Sequence, residues 1–144
     1  HLLARLETAR EHRLPVILHV RKAHDAVIAS LRRFDLVGGI CHAFNGSEQQ
    51  AAQYIEMNFR LGFGGMLTYE NANKLHALAS TLPLESIVLE TDAPDMTGAA
   101  HRYQRNSPEW LPEVVSALAG LRDLEESAVA KTTTDNALGV FGLL

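Results

Sequence analysis

Three short apolar runs in the sequence each lead to a side chain that can bind a metal ion. Runs 14–18, 37–41 and 86–89 lead to His19, His42 and Asp92. Because ligands of α/β proteins gather at the carboxyl ends of parallel strands, we expect these three side chains to lie close together. Two imidazoles and a carboxylate suit a divalent metal, which would activate a water and polarise a phosphoryl or carbonyl oxygen. For each His taken alone, the alternative is a hydrogen-bonded residue at the rim of the sheet.

Four further polar residues are placed to assist such a centre. Glu90 lies two residues before Asp92, on the same side of an extended strand, and could orient a ligand or form a salt bridge. Arg21 follows His19 by two residues, and Arg105 and Asn106 lie in the long loop after Asp92. Arginine side chains suit phosphate oxygens, so these positions are candidates for substrate binding. The alternative for each arginine is a solvated surface charge.

The other histidines and the one cysteine are predicted to lie outside the site. His12, His24 and His76 fall in helical segments and are predicted to be surface residues. His101 falls in the loop after Asp92 and is predicted to be exposed to solvent. Cys41 precedes His42 in an extended strand, so it points to the opposite side and is predicted to be packed.

The elements that must position these residues repeat along the chain. A fourth run, residues 59–65, contains three glycines, which indicates a close backbone approach or a bulge. The four strands end near residues 19, 42, 66 and 92, at intervals of 23, 24 and 26 residues, with helical spacing between them. This alternation predicts four βα units, which are half of a closed barrel or a small doubly wound sheet. No glycine-rich phosphate fingerprint follows a strand, so no nucleotide cofactor is expected.

Composition narrows the class of protein further. The chain has 144 residues, of which 47% are hydrophobic and 21% charged, as in one ordinary globular domain. The net charge of −4 argues against a broad basic surface that coats nucleic acid. The single cysteine excludes an internal disulfide and favours a reducing, cytoplasmic location. No apolar run approaches the length of a membrane span, so no membrane association is expected.

The residues at the strand ends resemble the TatD family of metal-dependent hydrolases, the TatD-type DNases. The resemblance covers essentially the whole chain, and Arg21–Asp25 with Asp92–Met96 is similar to a less characterised bacterial branch. It rests on PVILHVR (15–21), CHAFNGS (41–47), LETDAP (89–94), RNSPE (105–109) and DNALGVF (135–141).

The resemblance implies a TIM (β/α)8 barrel of the metallo-dependent hydrolase superfamily, to which this chain contributes about the last four βα units. It implies one or two divalent metals, with Zn, Mn and Mg as candidates. His19, His42 and Asp92 match metal ligands, and Asp92 also helps to activate the attacking water. Glu90, Arg21, Arg105 and Asn106 match positions that line the site. The implied activity is that of a nuclease or phosphodiesterase, with DNA or a small phosphodiester as substrate.

The sequence departs from the family pattern in two ways. The family's first strand carries a His-x-His pair and its fourth strand a metal-binding Glu, and neither is here; the chain is expected to begin just before the fifth strand. In addition, Val20 stands directly after His19, at a position where the family commonly has a small polar residue. A half-barrel exposes two sheet edges and half of an apolar interior. We therefore expect this chain to pair with a missing N-terminal half or with a second copy of itself.

Two other functions are compatible with the sequence. The same metal chemistry would hydrolyse an amide, a lactone or another carboxylic ester. The second alternative is a small flavodoxin-like binding module with no metal and no enzymatic activity. The polar residues at three strand ends argue against this module.

Overall fold

The computed structural model describes residues 1–144 and contains four parallel β-strands that alternate with helices. The strands are β1 Val16–His19, β2 Gly39–His42, β3 Phe59–Phe63 and β4 Ile87–Leu89. The helices are α1 Leu2–His12, α2 His24–Leu31, α3 Glu48–Glu56, α4 Asn73–Thr81, α5 Leu111–Arg122 and α6 Glu126–Val140. Short 3-10 turns occupy Gly65–Thr68, Leu84–Ser86, Ala99–His101 and Pro108–Trp110. The helices predicted between the strands are confirmed by α2, α3 and α4.

The four strands form one sheet in the order β1-β2-β3-β4, with every neighbouring pair parallel. The register pairs His19 of β1 with His42 of β2, so both histidines lie at the carboxyl edge of the sheet. The predicted βα units are therefore confirmed. The third strand ends at Phe63, before the position near Met66 that was predicted, because the chain turns into a 3-10 helix at Gly65.

Local sequence signals explain where several helices begin and end. Ser47 caps α3, since its side chain accepts the N–H of Gln50 while the Gln50 side chain accepts the N–H of Ser47. Pro112 stands in the first turn of α5, where its missing N–H costs nothing. Helix α1 ends at Arg13, which adopts the left-handed conformation with φ of 53°. No helix in the structure is both long enough and apolar enough to cross a membrane.

The two faces of the sheet have different surroundings. The helix-covered face, formed by Leu18, Cys41, Leu61 and Ile87, belongs to a core of 21 buried residues that includes side chains from the helices. The second face is formed by Ile17, Ile40, Arg60 and Val88, and none of these residues belongs to that core. Ile17 on the edge strand β1 is 61% exposed, whereas Ile40 on the inner strand β2 and Val88 on the other edge strand β4 are only 8% and 2% exposed.

Three histidines differ from their predicted surface position. His24 is buried, with Nδ1 2.9 Å from the Tyr54 hydroxyl and Nε2 2.8 Å from Oδ1 of Asn45. His76 is half-buried, and its Nε2 lies 2.9 Å from the carbonyl oxygen of Leu67. Both lie on helix faces that are turned toward neighbouring elements of the chain, which helical spacing alone does not reveal.

The third is His101, which is packed rather than solvated. Its ring stacks on Trp110 with centroids 3.7 Å apart, and its Nε2 lies 2.6 Å from Oε1 of Glu113. The stack and the hydrogen bond fix the loop after β4 to the start of α5. The predicted exposure of His12 and the predicted burial of Cys41 are confirmed.

Candidate metal centre

His42 stands between two carboxylates at the carboxyl edge of the sheet. Its Nδ1 is 2.7 Å from Oε2 of Glu90, and its Nε2 is 2.7 Å from Oδ1 of Asp92. Strand β2 ends at His42, and Glu90 and Asp92 follow β4 directly, so two strand ends place all three side chains. The two ring nitrogens point to opposite sides, which gives each carboxylate a different role.

Glu90 is fixed in place from several directions. One carboxylate oxygen bonds the ring of His42, and the other accepts the backbone N–H of Ala43. Ala43 presents that N–H from a left-handed conformation with φ of 49°, a strained backbone of the kind that clusters at functional sites. Gly62 supplies the space for the carboxylate, since an added Cβ at Gly62 would collide with it. This confirms that the glycines of the third strand permit a close approach.

Burial and charge shift the pKa values of this cluster. Burial alone lowers the pKa of His42, but the charge of Glu90 and hydrogen bonds to Glu90 and Asp92 outweigh it, and the pKa of His42 is raised. Burial raises the pKa of Glu90, although its bond to Ala43 and the nearby His42 oppose the shift. The metal-free cluster therefore holds a proton more firmly than isolated side chains do.

Cys41 is chemically separate from this cluster although it adjoins His42 in sequence. Burial, with the charge of Glu90, raises the pKa of the Cys41 thiol to about 12. A thiol with that pKa stays protonated at neutral pH, and only the thiolate is a good nucleophile or metal ligand. Cys41 is therefore a core residue.

His19 lies beside His42 but makes no bond to the cluster. The centroids of the two rings are 5.6 Å apart, and the rings are tilted by 35°. His19 ends the edge strand β1 and is exposed, so its ring is free to turn toward a ligand. The structure thus places the three predicted metal ligands at one edge of the sheet.

The donor atoms of His42 and Asp92 fit a divalent cation. An imidazole nitrogen and a carboxylate oxygen are ordinary ligands of such metals. Glu90 accepts from Nδ1, which is the outer partner that orients a metal-binding histidine, and it leaves Nε2 to face Asp92. No group of three or more His, Cys, Asp and Glu side chains in the chain is arranged to hold a metal. The ligand roles of His19, His42 and Asp92 stay predictions.

The predicted substrate-binding residues divide into two groups. Arg21 and Arg105 are exposed and form no salt bridge, so their phosphate-binding role stays a prediction. Asn106 is buried, and its amide donates to the carbonyls of Asp95 and Met96 while its oxygen accepts the N–H of Ser107. These bonds engage both ends of the amide, so Asn106 shapes the loop after β4, and its substrate-binding role stays a prediction.

Two supports of the site were not predicted from the sequence. The backbone N–H of Ala43 holds Glu90, and the bond from His24 to Asn45 fixes the loop that follows His42. Both depend on contacts between elements far apart in sequence. The aromatic residues Phe44 and Tyr54, which pack edge-on near His24, were the available signal for a buried cluster beneath this loop.

The structure thus combines consecutive parallel βα units with an imidazole that lies between two carboxylates at the carboxyl ends of the strands. The family model for TatD related DNase matches residues 2–142. The chain belongs to the TatD family, and the predicted fold class is confirmed.

Individual relatives agree with this assignment. An uncharacterized metal-dependent hydrolase of Haemophilus influenzae is 39% identical over 139 residues, covering 96% of this chain and 53% of that protein. The crystal structure of YjjV, a TatD homolog from Escherichia coli K12, superposes with a TM-score of 0.89 at 37% identity, covering 97% of this chain and 54% of that one. The 3'-5' ssDNA/RNA exonuclease TatD of a Rahnella species is 33% identical, covering 97% of this chain and 56% of that protein. The chain thus spans about half the length of these relatives.

Proposed function

We propose that this chain takes part in the metal-dependent hydrolysis of phosphodiester bonds, with DNA as the preferred substrate. The observation that carries the proposal is the position of His42, held on one side by Glu90 and facing Asp92 on the other. The Rahnella relative is named a 3'-5' ssDNA/RNA exonuclease, which supports a nucleic acid as the substrate.

Each residue of the cluster has a separate task in this proposal. Glu90 accepts the Nδ1 proton of His42 and keeps the ring from turning, so Nε2 stays directed at the reaction space. A divalent metal bound by His42, Asp92 and His19 would lower the pKa of a water and polarise a phosphoryl oxygen. Asp92, which is half-buried, accepts a proton from the attacking water. Arg21 and Arg105 neutralise the charge of the phosphate.

We further propose that another four-stranded α/β unit covers the second face of the sheet and completes the metal centre. Ile17 on that face is 61% exposed, and the outer edges of β1 and β4 have no strand beside them. Arg60 lies on the same face, where its Nε is buried without a hydrogen-bond partner. A complementary unit would supply apolar cover, further metal ligands and an acceptor for Arg60. A second copy of this chain and a different half-barrel are the two candidates.

The test is hydrolysis of single-stranded DNA by the purified protein with Mn²⁺, Mg²⁺ or Zn²⁺, compared with nitrophenyl esters of phosphate and of carboxylic acids. We expect cleavage of DNA that stops on addition of a chelator. Asp92→Asn is expected to lower turnover by about a thousandfold, the range of a general base, while the fold is retained.

Asp95→Asn provides a matched control, because Asp95 is exposed and forms no salt bridge. It is expected to keep the activity of the original protein. Unchanged turnover in Asp92→Asn would contradict the assignment of the site. Hydrolysis of carboxylic esters without hydrolysis of phosphodiesters would instead identify an ester hydrolase.

A further inference from the structure

An apolar pocket adjoins the candidate metal centre, because Glu90 and Asp92 are among its lining residues. Its volume is about 180 Å³, and it lies between the loops that follow β2, β3 and β4. Glu90 and Asp92 form one end of the pocket, so a group bound there lies next to the reacting bond. The remaining walls are mostly apolar side chains and the bare backbone of the glycine-rich segment 62–65.

Two methionines at the mouth of this pocket are unusually accessible. Met66 is 40% exposed and Met96 is 52% exposed, and both line the pocket. A methionine side chain is flexible and polarizable, so it adapts to the surface of a flat ring. Met66 follows β3 and Met96 follows β4, so the two thioethers approach the pocket from separate loops. Leu67 and Leu75 extend the apolar lining beneath them.

The charges of the pocket restrict what can bind there. Its only ionisable side chains are the carboxyl groups of Glu90 and Asp92, which repel an anion such as a second phosphate. The apolar walls favour a neutral, largely apolar group. In a nucleic acid, the base is the part that is neutral and flat and that gains most from packing against apolar side chains.

A cation lies close to this pocket but outside its lining. Lys74 donates to the backbone carbonyl of Asn45 at 2.7 Å, and Asn45 is itself a lining residue. A nucleotide whose base enters the pocket would therefore bring its own or a neighbouring phosphate toward this ammonium group. The apolar lining suits a base, and the nearby ammonium group suits a phosphate.

We infer that this pocket binds one nucleobase of the substrate, next to the scissile phosphate. This inference rests on the proposed phosphodiester hydrolysis. It assigns Met66 and Met96 to base binding and makes the pocket a determinant of which phosphodiesters are cleaved. A substrate that lacks the base beside the scissile bond loses this interaction.

The first experiment detects base binding without hydrolysis. The chain contains three methionines, so ¹³C-methyl labelling of methionine gives three signals that can be assigned by substitution with leucine. Addition of deoxyadenosine is expected to shift the methyl signals of Met66 and Met96 in a saturable manner. Met57, which packs against the core at the end of α3, is the internal control and is expected to stay in place. Deoxyribose alone is expected to shift none of the three.

Two results of this experiment would overturn the inference. One is the absence of a shift at both Met66 and Met96 at saturating nucleoside. The other is a shift of these signals by a short acyl ester but not by deoxyadenosine, which would assign the pocket to an acyl group. Because hydrolysis is not measured, a missing shift is distinct from failure of the proposed activity.

The second experiment uses the activity. A single-stranded oligonucleotide with one abasic residue beside the cleaved bond is compared with the unmodified strand. The abasic substrate is expected to have a KM about tenfold higher, as for the loss of one stacked base. Met66→Ala and Met96→Ala are expected to raise KM for the unmodified strand and to leave KM for the abasic strand unchanged.

Leu124→Ala is the matched control, because Leu124 is 43% exposed and does not line the pocket. It is expected to leave both KM values unchanged. Equal KM values for the two strands would overturn the inference while leaving the hydrolase proposal intact. Failure to cleave either strand would contradict the hydrolase proposal, and the methyl shifts would then decide the base site alone.

Discussion

On the helix-covered face of the sheet, Leu18, Cys41 and Leu61 are at most 5% exposed, whereas Ile17 on the second face is 61% exposed. The first face is packed by helices that the chain itself provides. The second face includes Arg60, whose Nε is buried without a partner. Buried polar groups almost always have a partner in folded proteins, so the unpartnered Nε of Arg60 is consistent with the covering unit proposed above.

The candidate metal centre lies at the carboxyl edge of the sheet. His42, Glu90 and Asp92 are positioned by strands whose other side chains are anchored in the core. The packed face therefore supplies rigidity, and on the second face only the β1 end, at Ile17, is largely open to solvent. We therefore expect substitutions on the helix-covered face to lower stability, and substitutions on the second face to change assembly or activity.

The largest expected effect on stability comes from the helix-covered face. Leu61→Ala removes a fully buried side chain from the middle of β3 and is expected to cost about 3 kcal/mol of unfolding free energy. Urea denaturation followed by circular dichroism measures this loss. A cost below about 1 kcal/mol, the level of a typical surface substitution, would contradict the packing described for this face.

The next effect tests the close approach of Gly62 to the site. Gly62→Ala places a methyl group against the Glu90 carboxylate, and we expect a cost of about 2 kcal/mol together with loss of metal binding, because Glu90 must release His42. Gly120→Ala in α5 is the control, since open space surrounds Gly120. A better helix former there is expected to stabilise the chain by about 0.5 to 1 kcal/mol. Equal changes in unfolding free energy for Gly62→Ala and Gly120→Ala would contradict the close approach of Gly62 to Glu90.

The pH dependence of stability tests the cluster without a substitution. The pKa values of His42 and Glu90 are both raised, so the folded metal-free chain binds more protons than the unfolded chain. Stability from these groups is full below their unfolded pKa values and is lost as pH rises through the folded ones. Urea midpoints in the presence of chelator are thus expected to fall as pH rises above about 6.5, the ordinary pKa of His.

A bound metal should reverse this pH dependence of stability. Metal binding requires a deprotonated His42, so saturation with a divalent cation is expected to stabilise the protein more at higher pH. His42→Gln is expected to weaken both dependences. A metal-free chain that becomes more stable as pH rises through neutrality would contradict the raised pKa of His42.

The smallest expected effect comes from the second face. Ile17→Ser in the separate chain is expected to change the unfolding free energy by no more than about 0.5 kcal/mol, because Ile17 is largely exposed. The same substitution is expected to weaken association with a covering unit, which analytical ultracentrifugation measures. A loss of stability as large as that of Leu61→Ala would show that the chain itself covers this face.

The sequence predicted the framework of the site because each relevant signal is local. Continuous apolar runs mark strands that are covered on both sides, and a polar residue at the end of such a run is placed by the strand itself. For this reason His19, His42 and Asp92 could be assigned to one edge of the sheet, and Glu90 to the side of Asp92, before the structure was known.

The sequence did not predict contacts between distant elements. His24 and Asn106 are both buried, one beneath the loop after His42 and one within the loop after β4. The spacing of apolar residues in a helix predicts which face is buried but not which element covers that face. A loop has no periodic pattern, so its contacts cannot be predicted in this way. The pocket beside Glu90 has the same origin, since it is formed by three loops that meet only in the folded chain.

The mass of the folded 144-residue chain in solution, measured by light scattering during size-exclusion chromatography, tests most directly the claim that the second face is an interface. We expect the chain to form a species heavier than its own 15.8 kDa, either with a second copy or with an added complementary half-barrel. A monodisperse monomer of 15.8 kDa with cooperative unfolding, unchanged by a complementary unit, would contradict it.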